Sequence, residues 1–207
     1  MNRVILSAST DETILAVTRQ HKLVDLEIEQ QINTEIVGCI YKGVVKNIVP
    51  AVDGIFVDIR IGKNAFLRRK DLLNEKRFPT EGSPILAQVI KSDTDMKGAL
   101  ITEKISMFGK YAVTLSGTGY IGVSKKIRQE SVRKRLKEIG KEICAEHMGL
   151  IIRTAAENAD MDEFRKDITR LKENWDIIQK RFRMEKSPTL LYRESDIIAV
   201  SYTHLTL

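Results

Sequence analysis

The sequence predicts an α+β chain of more than one domain, and three observations along it carry that expectation. The first thirty residues hold short alternating apolar stretches, the next seventy are strand-rich and broken by glycine and proline, and two long stripes at helical spacing follow Gly109. Alternation with period two marks half-buried strands, and recurrence every three or four residues marks the buried face of a helix.

Val4, Leu6 and Ala8 alternate with Ile5 and Ser7, a polar turn follows, Ile14, Ala16 and Thr18 mark a second strand, and Leu23, Leu26 and Ile28 a third. A three-stranded meander of this kind buries too little to stand alone. Between Ile36 and Ile105, strands are expected at Ile36–Ile48, Gly54–Asp58, Asn64–Leu67, Ile85–Lys91 and Ala99–Thr102. Turns fall at Pro50, Asp53-Gly54, Gly62, Pro79, Gly82 and Pro84, residues that preset or permit turn dihedrals. Five short strands at this rhythm suit a small closed barrel, of which the OB-fold is the commonest.

Beyond Gly109 the texture is α/β. Tyr111–Leu115 and Ile121–Val123 read as a hairpin joined through Gly117 and Gly119, and Leu150–Thr154 as a further strand. Val132, Leu136, Ile139 and Ile143 place a helix across Gln129–Glu146. A second helix carries Met161, Phe164, Ile168, Leu171, Trp175, Ile178 and Phe182 on one stripe, with Asp160 and Glu163 as a capping-box start. Each stripe is read as core packing under a sheet rather than as a partner-binding face.

Composition narrows the class. Of 207 residues, 43% are hydrophobic and 30% charged, within the globular range and against disorder. No apolar run approaches the ~20 residues of a membrane-spanning helix, and Met1–Glu12 is too soon interrupted to be a secretory signal. Cys39 and Cys144 are too few for a disulfide framework and lack zinc-ligand spacing. A soluble, cytoplasmic chain is expected. Its net charge of +6 favours an acidic partner such as nucleic acid.

Phe56 and Phe66 lie on neighbouring expected strands, with Lys42, Lys46, Lys91 and Lys97 around them. Aromatic faces stack on bases and cations meet phosphates, the mixture that single-stranded RNA binding requires. The same spacing also accommodates both phenylalanines in the core. Asp93 and Asp95, one residue apart, have the makings of a Mg²⁺ site, but their position before Lys97-Gly98 favours a hairpin turn. The run Lys125-Lys126-Ile127-Arg128 and the later Arg133–Lys137 stretch read as an RNA-attracting cluster and a mostly solvated helix face. His21, His147 and His204 have no partners at catalytic spacing. Without further context Arg153 reads as a surface or salt-bridge residue.

The ordered series Ile40-Tyr41-Lys42-Gly43, Phe56-Val57-Asp58, Ala65-Phe66-Leu67 and Lys97-Gly98-Ala99-Leu100 before Thr102 resembles the S1-type RNA-binding domain of the ribonuclease E/G family. The resemblance continues through Ser106–Tyr111, Met148–Ala155, Leu171–Trp175 and Pro188–Asp196. It implies a five-stranded OB-type barrel inserted between a partial RNase H-like meander and an α/β sensor domain with two amphipathic helices. The implied boundaries are 1–34 for the RNase H-like strands, 35–106 for the S1-type domain, 107–193 for the sensor, and 194–207 for a truncated or artefactual tail. The 1–34 segment, as half a domain, is expected to leave an apolar face partly uncovered.

The resemblance also implies an activity. Members cleave single-stranded RNA in rRNA processing or mRNA decay, using Mg²⁺ held in a downstream domain, and often join subunits through a Cys-Pro-x-Cys zinc link. Homo-oligomers are therefore expected of an intact member. Neither metal's ligands occur in these residues, so the 207-residue piece is expected to bind RNA without cutting it. Phe56, Phe66 and Lys97 match RNA-contacting positions of the barrel, with Lys42 and Lys46 beside them. Gly109, Val113, Arg153 and Thr154 match a pocket that holds the 5′-terminal phosphate, and Lys125 stands where the family often has Arg. A guanidinium fork pairs two phosphate oxygens and a neighbouring hydroxyl donates a further bond. Lysine at 125 keeps the charge but loses the fork. The alternative reading is a free-standing OB-fold RNA-binding protein without catalytic activity. An OB protein acting on ribosomal RNA would leave the Arg-Thr pair without a purpose.

Overall fold

The computed structural model describes residues 2–8, 12–20, 22–30, 36–144 and 148–193. The expectations for His21, His147, His204 and residues 194–207 lie outside them. The described chain divides into two compact units, one holding the first three strands and one spanning Val37–Tyr192.

The first unit is the meander that the alternation predicts: β1 (Asn2–Ala8), β2 (Glu12–Arg19) and β3 (Lys22–Gln30), antiparallel in that order. β1 and β2 pair without a break from Asn2 opposite Arg19 to Ala8 opposite Thr13. Gln20 takes the left-handed conformation (φ 51°) that turns the chain into β3. Ile5 is exposed; the side chains that would decide how the rest of this sheet's apolar face is covered lie outside those described.

The second unit begins with a closed barrel of β4 (Ile40–Val49), β5 (Gly54–Asp58), β6 (Ala65–Arg68), β7 (Pro84–Lys91) and β8 (Leu100–Thr102). The strand order is β4-β5-β6-β8-β7, and β7 returns to β4 to close it. Only the β6–β8 pairing is parallel. The alternation has its predicted effect: Ile55, Val57, Ala65 and Leu67 point inward and are buried, while Phe56, Asp58, Phe66 and Arg68 are half-exposed. Register shifts at Val45/Asn47 and Val89/Lys91 supply the bend that closure needs.

A four-stranded sheet follows, of β9 (Ser106–Phe108), β10 (Ala112–Ser116), β11 (Ile121–Val123) and β12 (Met148–Ile152), in the order β11-β12-β10-β9. The hairpin expected between Tyr111–Leu115 and Ile121–Val123 is not formed, because β12 lies between them, antiparallel to β10 and parallel to β11. Leu150 and Ile152 are wholly buried, and a strand apolar enough to be covered on one whole face takes a central place. Its parallel pairing with β11 requires a crossover, supplied by α1 (Glu130–Ile143).

The second helix, α2 (Met161–Met184), starts where the cap predicts: the Asp160 carboxylate accepts from the amides of Asp162 (2.8 Å) and Glu163 (3.3 Å). The other half of the expected capping box is absent, since the Glu163 carboxylate is engaged by Tyr111 and Lys110 instead. Leu136 and Ile139 of α1 and Phe164, Ile168, Leu171 and Ile178 of α2 are buried in one core, so both stripes are core faces.

The chain then returns to the barrel. β13 (Thr189–Tyr192) pairs antiparallel with the start of β4, an addition the spacing did not suggest. Beside it, Lys42 is buried, and its ammonium donates to the carbonyls of Phe182 and Glu185, each at 2.6 Å, over the Phe182 ring at 5.0 Å. The last carbonyls of a helix lack intrahelical partners and carry partial negative charge; Lys42 satisfies two of them at the end of α2. The lysine expected on an RNA-facing surface is thus engaged in holding helix to barrel. Lys42→Met should lower stability in urea unfolding by roughly 1.5–3 kcal/mol, whereas Lys46→Met, at an exposed pair, should cost about 0–1 kcal/mol.

Candidate functional site

Because β11 and β12 run parallel and β10 runs against them, the ends of β11 and β12 meet the start of β10 at one end of the sheet. The Arg153 amide donates to Tyr111 O, and that of Ser124 to Ile152 O, each at 2.8 Å. Arg153 is exposed. Its Nη1 donates to Gly109 O at 2.8 Å and lies 3.5 Å from Lys110 O. Among the described residues no carboxylate pairs with it, and Nε and Nη2, which form one edge of the guanidinium, carry no bond. Thr154 opens a single 3₁₀ turn, and its Oγ1 lies 3.1 Å from Ser124 Oγ. Lys125 follows Ser124 and is exposed, and Val113 is half-buried on β10 opposite Phe108 and Ile151. The strand pairing therefore brings Gly109, Lys125, Arg153 and Thr154 to one sheet end, with Val113 one turn of the pleat further in.

The turn at 109–111 is set by Asp167 of α2. Its carboxylate accepts from the amides of Tyr111 (2.8 Å) and Lys110 (3.2 Å) and pairs with Arg170 at 3.1 Å. A Cβ at position 109 would lie 2.5 Å from Asp167 Oδ2. Glycine is required there to admit this carboxylate. Neither Asp167 nor Ser124 belongs to any motif; only the topology brings them here.

Lys110 and Glu163 were also missed. Tyr111 donates its hydroxyl to Glu163 Oε2 at 2.5 Å, and Lys110 Nζ reaches the same oxygen at 3.2 Å while lying 4.8 Å from the Tyr111 ring centroid. The Tyr111 hydroxyl, and after it Lys110, hold the Glu163 carboxyl below its usual range. Tyr111 and Glu163 in turn hold the lysine above its usual value.

On the barrel, Phe56 and Phe66 are cross-strand partners with ring centroids 5.4 Å apart, tilted by 51°. Phe66 lies over Gly54, where a Cβ would come within 2.3 Å of the ring. Both rings are half-exposed, which resolves the choice between core and surface in favour of an outward pair. Lys46 stands on the adjoining strand, 3.5 Å from Asp58. Lys97 is exposed on the loop entering β8, where its amide donates to Thr94 O (3.3 Å), and Ala99 just beyond accepts from the Phe66 amide. Lys42 is apart from this group.

The described residues do not fit a metal ion: no group of three or more His, Cys, Asp or Glu converges. Asp93 and Asp95 are exposed, and it is the backbone carbonyl of Asp95 that Lys63 engages, at 2.7 Å. Cys39 is buried, and burial pushes the Cys144 thiol up to about 11, with Lys172 opposing weakly. A thiol protonated at neutral pH is a weak nucleophile. Iodoacetamide should therefore alkylate Cys144 slowly at pH 7, with the rate rising ~tenfold per pH unit until the pH nears that value. Asp167→Ala should cost roughly 1–3 kcal/mol in urea unfolding by leaving turn amides without their acceptor. The amide exchange of Tyr111 should speed up with it.

No described helix is long and apolar enough to cross a membrane. The model of the Ribonuclease E/G family matches residues 106–206. Ribonuclease G of Escherichia coli (strain K12) is 33% identical over 208 residues, covering 92% of this chain and 42% of the relative. Ribonuclease E of Synechocystis sp. is 33% identical over 182 residues, covering 83% of this chain and 27% of the relative. The chain thus spans about two-fifths of the ribonuclease G sequences it matches. On this similarity, which covers most of its length, the chain belongs to the ribonuclease E/G family.

Proposed function

We propose that the chain supplies the RNA grip and the recognition of a 5′-monophosphate end in an endoribonuclease acting on single-stranded RNA. In this reading the barrel is an S1-type OB domain. Phe56 and Phe66 stack bases, while Lys46 and Lys97 meet phosphates. The terminal phosphate lies against Arg153, with Thr154 and Lys125 beside it, the Gly109 turn as backing and Val113 under the first nucleoside.

The observation that carries the reading is how Arg153 is held. Nη1 is fixed to the Gly109 carbonyl, so the guanidinium has a set orientation while its Nε–Nη2 edge stays open. That edge is a planar two-donor fork suited to two phosphate oxygens. Of the paired Ser124 and Thr154 hydroxyls, either can donate to the other, which leaves one hydroxyl hydrogen for an anion. The cutting step is assigned to none of the described residues. A free-standing barrel binder is not favoured, because the family match covers 106–206, beyond the barrel.

Short RNAs of one sequence bearing either 5′-monophosphate or 5′-hydroxyl test the reading by fluorescence anisotropy. The monophosphate should bind more tightly, and Arg153→Ala should abolish the difference, a loss of about 1.5–3 kcal/mol for a charged hydrogen bond. Phe56→Ala or Phe66→Ala should weaken both RNAs alike, by about 1–3 kcal/mol per lost stack. Equal binding of the two RNAs by the unmutated chain would refute the sensing role. Mg²⁺-dependent cutting by the pure chain, lost in Asp93→Ala with Asp95→Ala, would refute the assignment of those residues to a turn.

A further inference from the structure

We infer that Lys110 is a further cation of the terminal-phosphate site, beyond Arg153 and Lys125, held back by Glu163 and released to a phosphate that arrives at Arg153. The inference rests on the reading of Arg153 above and adds a residue to which the sequence reading gave no role.

The backbone of Lys110 is fixed at the rim of the site. Its amide donates to Asp167 at 3.2 Å, and its carbonyl lies 3.5 Å from Arg153 Nη1. Only the side chain is left to move, and it is two-thirds exposed. Its ammonium is parked on Glu163 Oε2 at 3.2 Å, above the Tyr111 ring. Exposed ion pairs of this kind hold weakly because water competes for both charges. A terminal monophosphate carries between one and two negative charges near neutral pH. Lying against Arg153, it is a stronger counter-charge than a single solvated carboxylate.

The exchange does not strand the carboxylate. Glu163 keeps the Tyr111 hydroxyl at 2.5 Å and sits in the first turn of α2, where the helix dipole favours negative charge. With Lys110 in place, Glu163 is neutralised and does not repel an incoming anion. The arrangement favours a terminal monophosphate over an internal diester, which carries one charge and fewer free oxygens.

The test measures the affinity ratio for 5′-monophosphate over 5′-hydroxyl RNA in the 207-residue chain and its variants, with urea midpoints confirming that each is folded. Lys110→Met should reduce the ratio three- to tenfold, and Lys110→Arg should keep it. Glu163→Gln should raise it by releasing the ammonium. The slope of log affinity against log salt for the monophosphate RNA should flatten by about 0.7 in Lys110→Met, the value for one phosphate contact on a single strand. A ratio abolished by Arg153→Ala but unchanged by Lys110→Met would overturn the role of Lys110 and leave the Arg153 reading standing. No preference in the unmutated chain would overturn both. A ratio lowered by Glu163→Gln would show that the glutamate supports the site and does not withhold the lysine, and would overturn the parking device.

Discussion

The Asp167 carboxylate, nearly enclosed between α2 and the sheet, accepts the amides of Lys110 and Tyr111 and occupies the space that a side chain at 109 would need. A buried carboxylate must be paired and hydrogen-bonded to be tolerated, and here two amides and Arg170 meet that need. The consequence is directional. With the amides of the turn bound to α2, the carbonyl of Gly109 is presented to Arg153, and the guanidinium is oriented by a backbone group rather than by a competing acid. A carboxylate in that place would have consumed the same fork that a phosphate requires.

A second constraint joins the helix to the barrel. Lys42 leaves β4 and closes the carboxyl end of α2, while β13, the segment after that helix, adds itself to the edge of β4. Arg181 reinforces the junction by donating to the carbonyls of Leu190 and Leu191. The barrel and the Arg153 sheet end therefore share one framework, in which α2 contributes Asp167 near its start and its carbonyl terminus at its end. The outward Phe56–Phe66 pair and the Arg153 fork are consequently two features of one compact unit.

Much of this was legible in the residues. The strand alternation located the inward and outward faces of the barrel, and the two stripes located α1 and α2, because period and burial are properties of neighbouring positions. The Asp160 cap was legible for the same reason. What failed involved partners distant in the chain. Tyr111–Leu115 and Ile121–Val123 read as a hairpin, but the more apolar β12 separates them. Lys42 read as an exposed cation, but the end of α2, some 140 residues later, claims it. Glu163 read as half of a capping box, but the Tyr111 hydroxyl takes its carboxylate.

The sequence by itself determined which residue types were present for phosphate chemistry: an Arg-Thr pair, a nearby lysine, a glycine before an aromatic strand. It could not say whether Arg153 was occupied, since that depends on which acid lies within reach once the sheet is assembled. Tertiary structure decided that: Asp167 and Glu163 take partners on the 109–111 turn, and among the described residues no acid pairs with Arg153. Hydrogen-bond and ion-pair assignments over long sequence separation are set by strand order and helix docking, and local pattern carries no information about either.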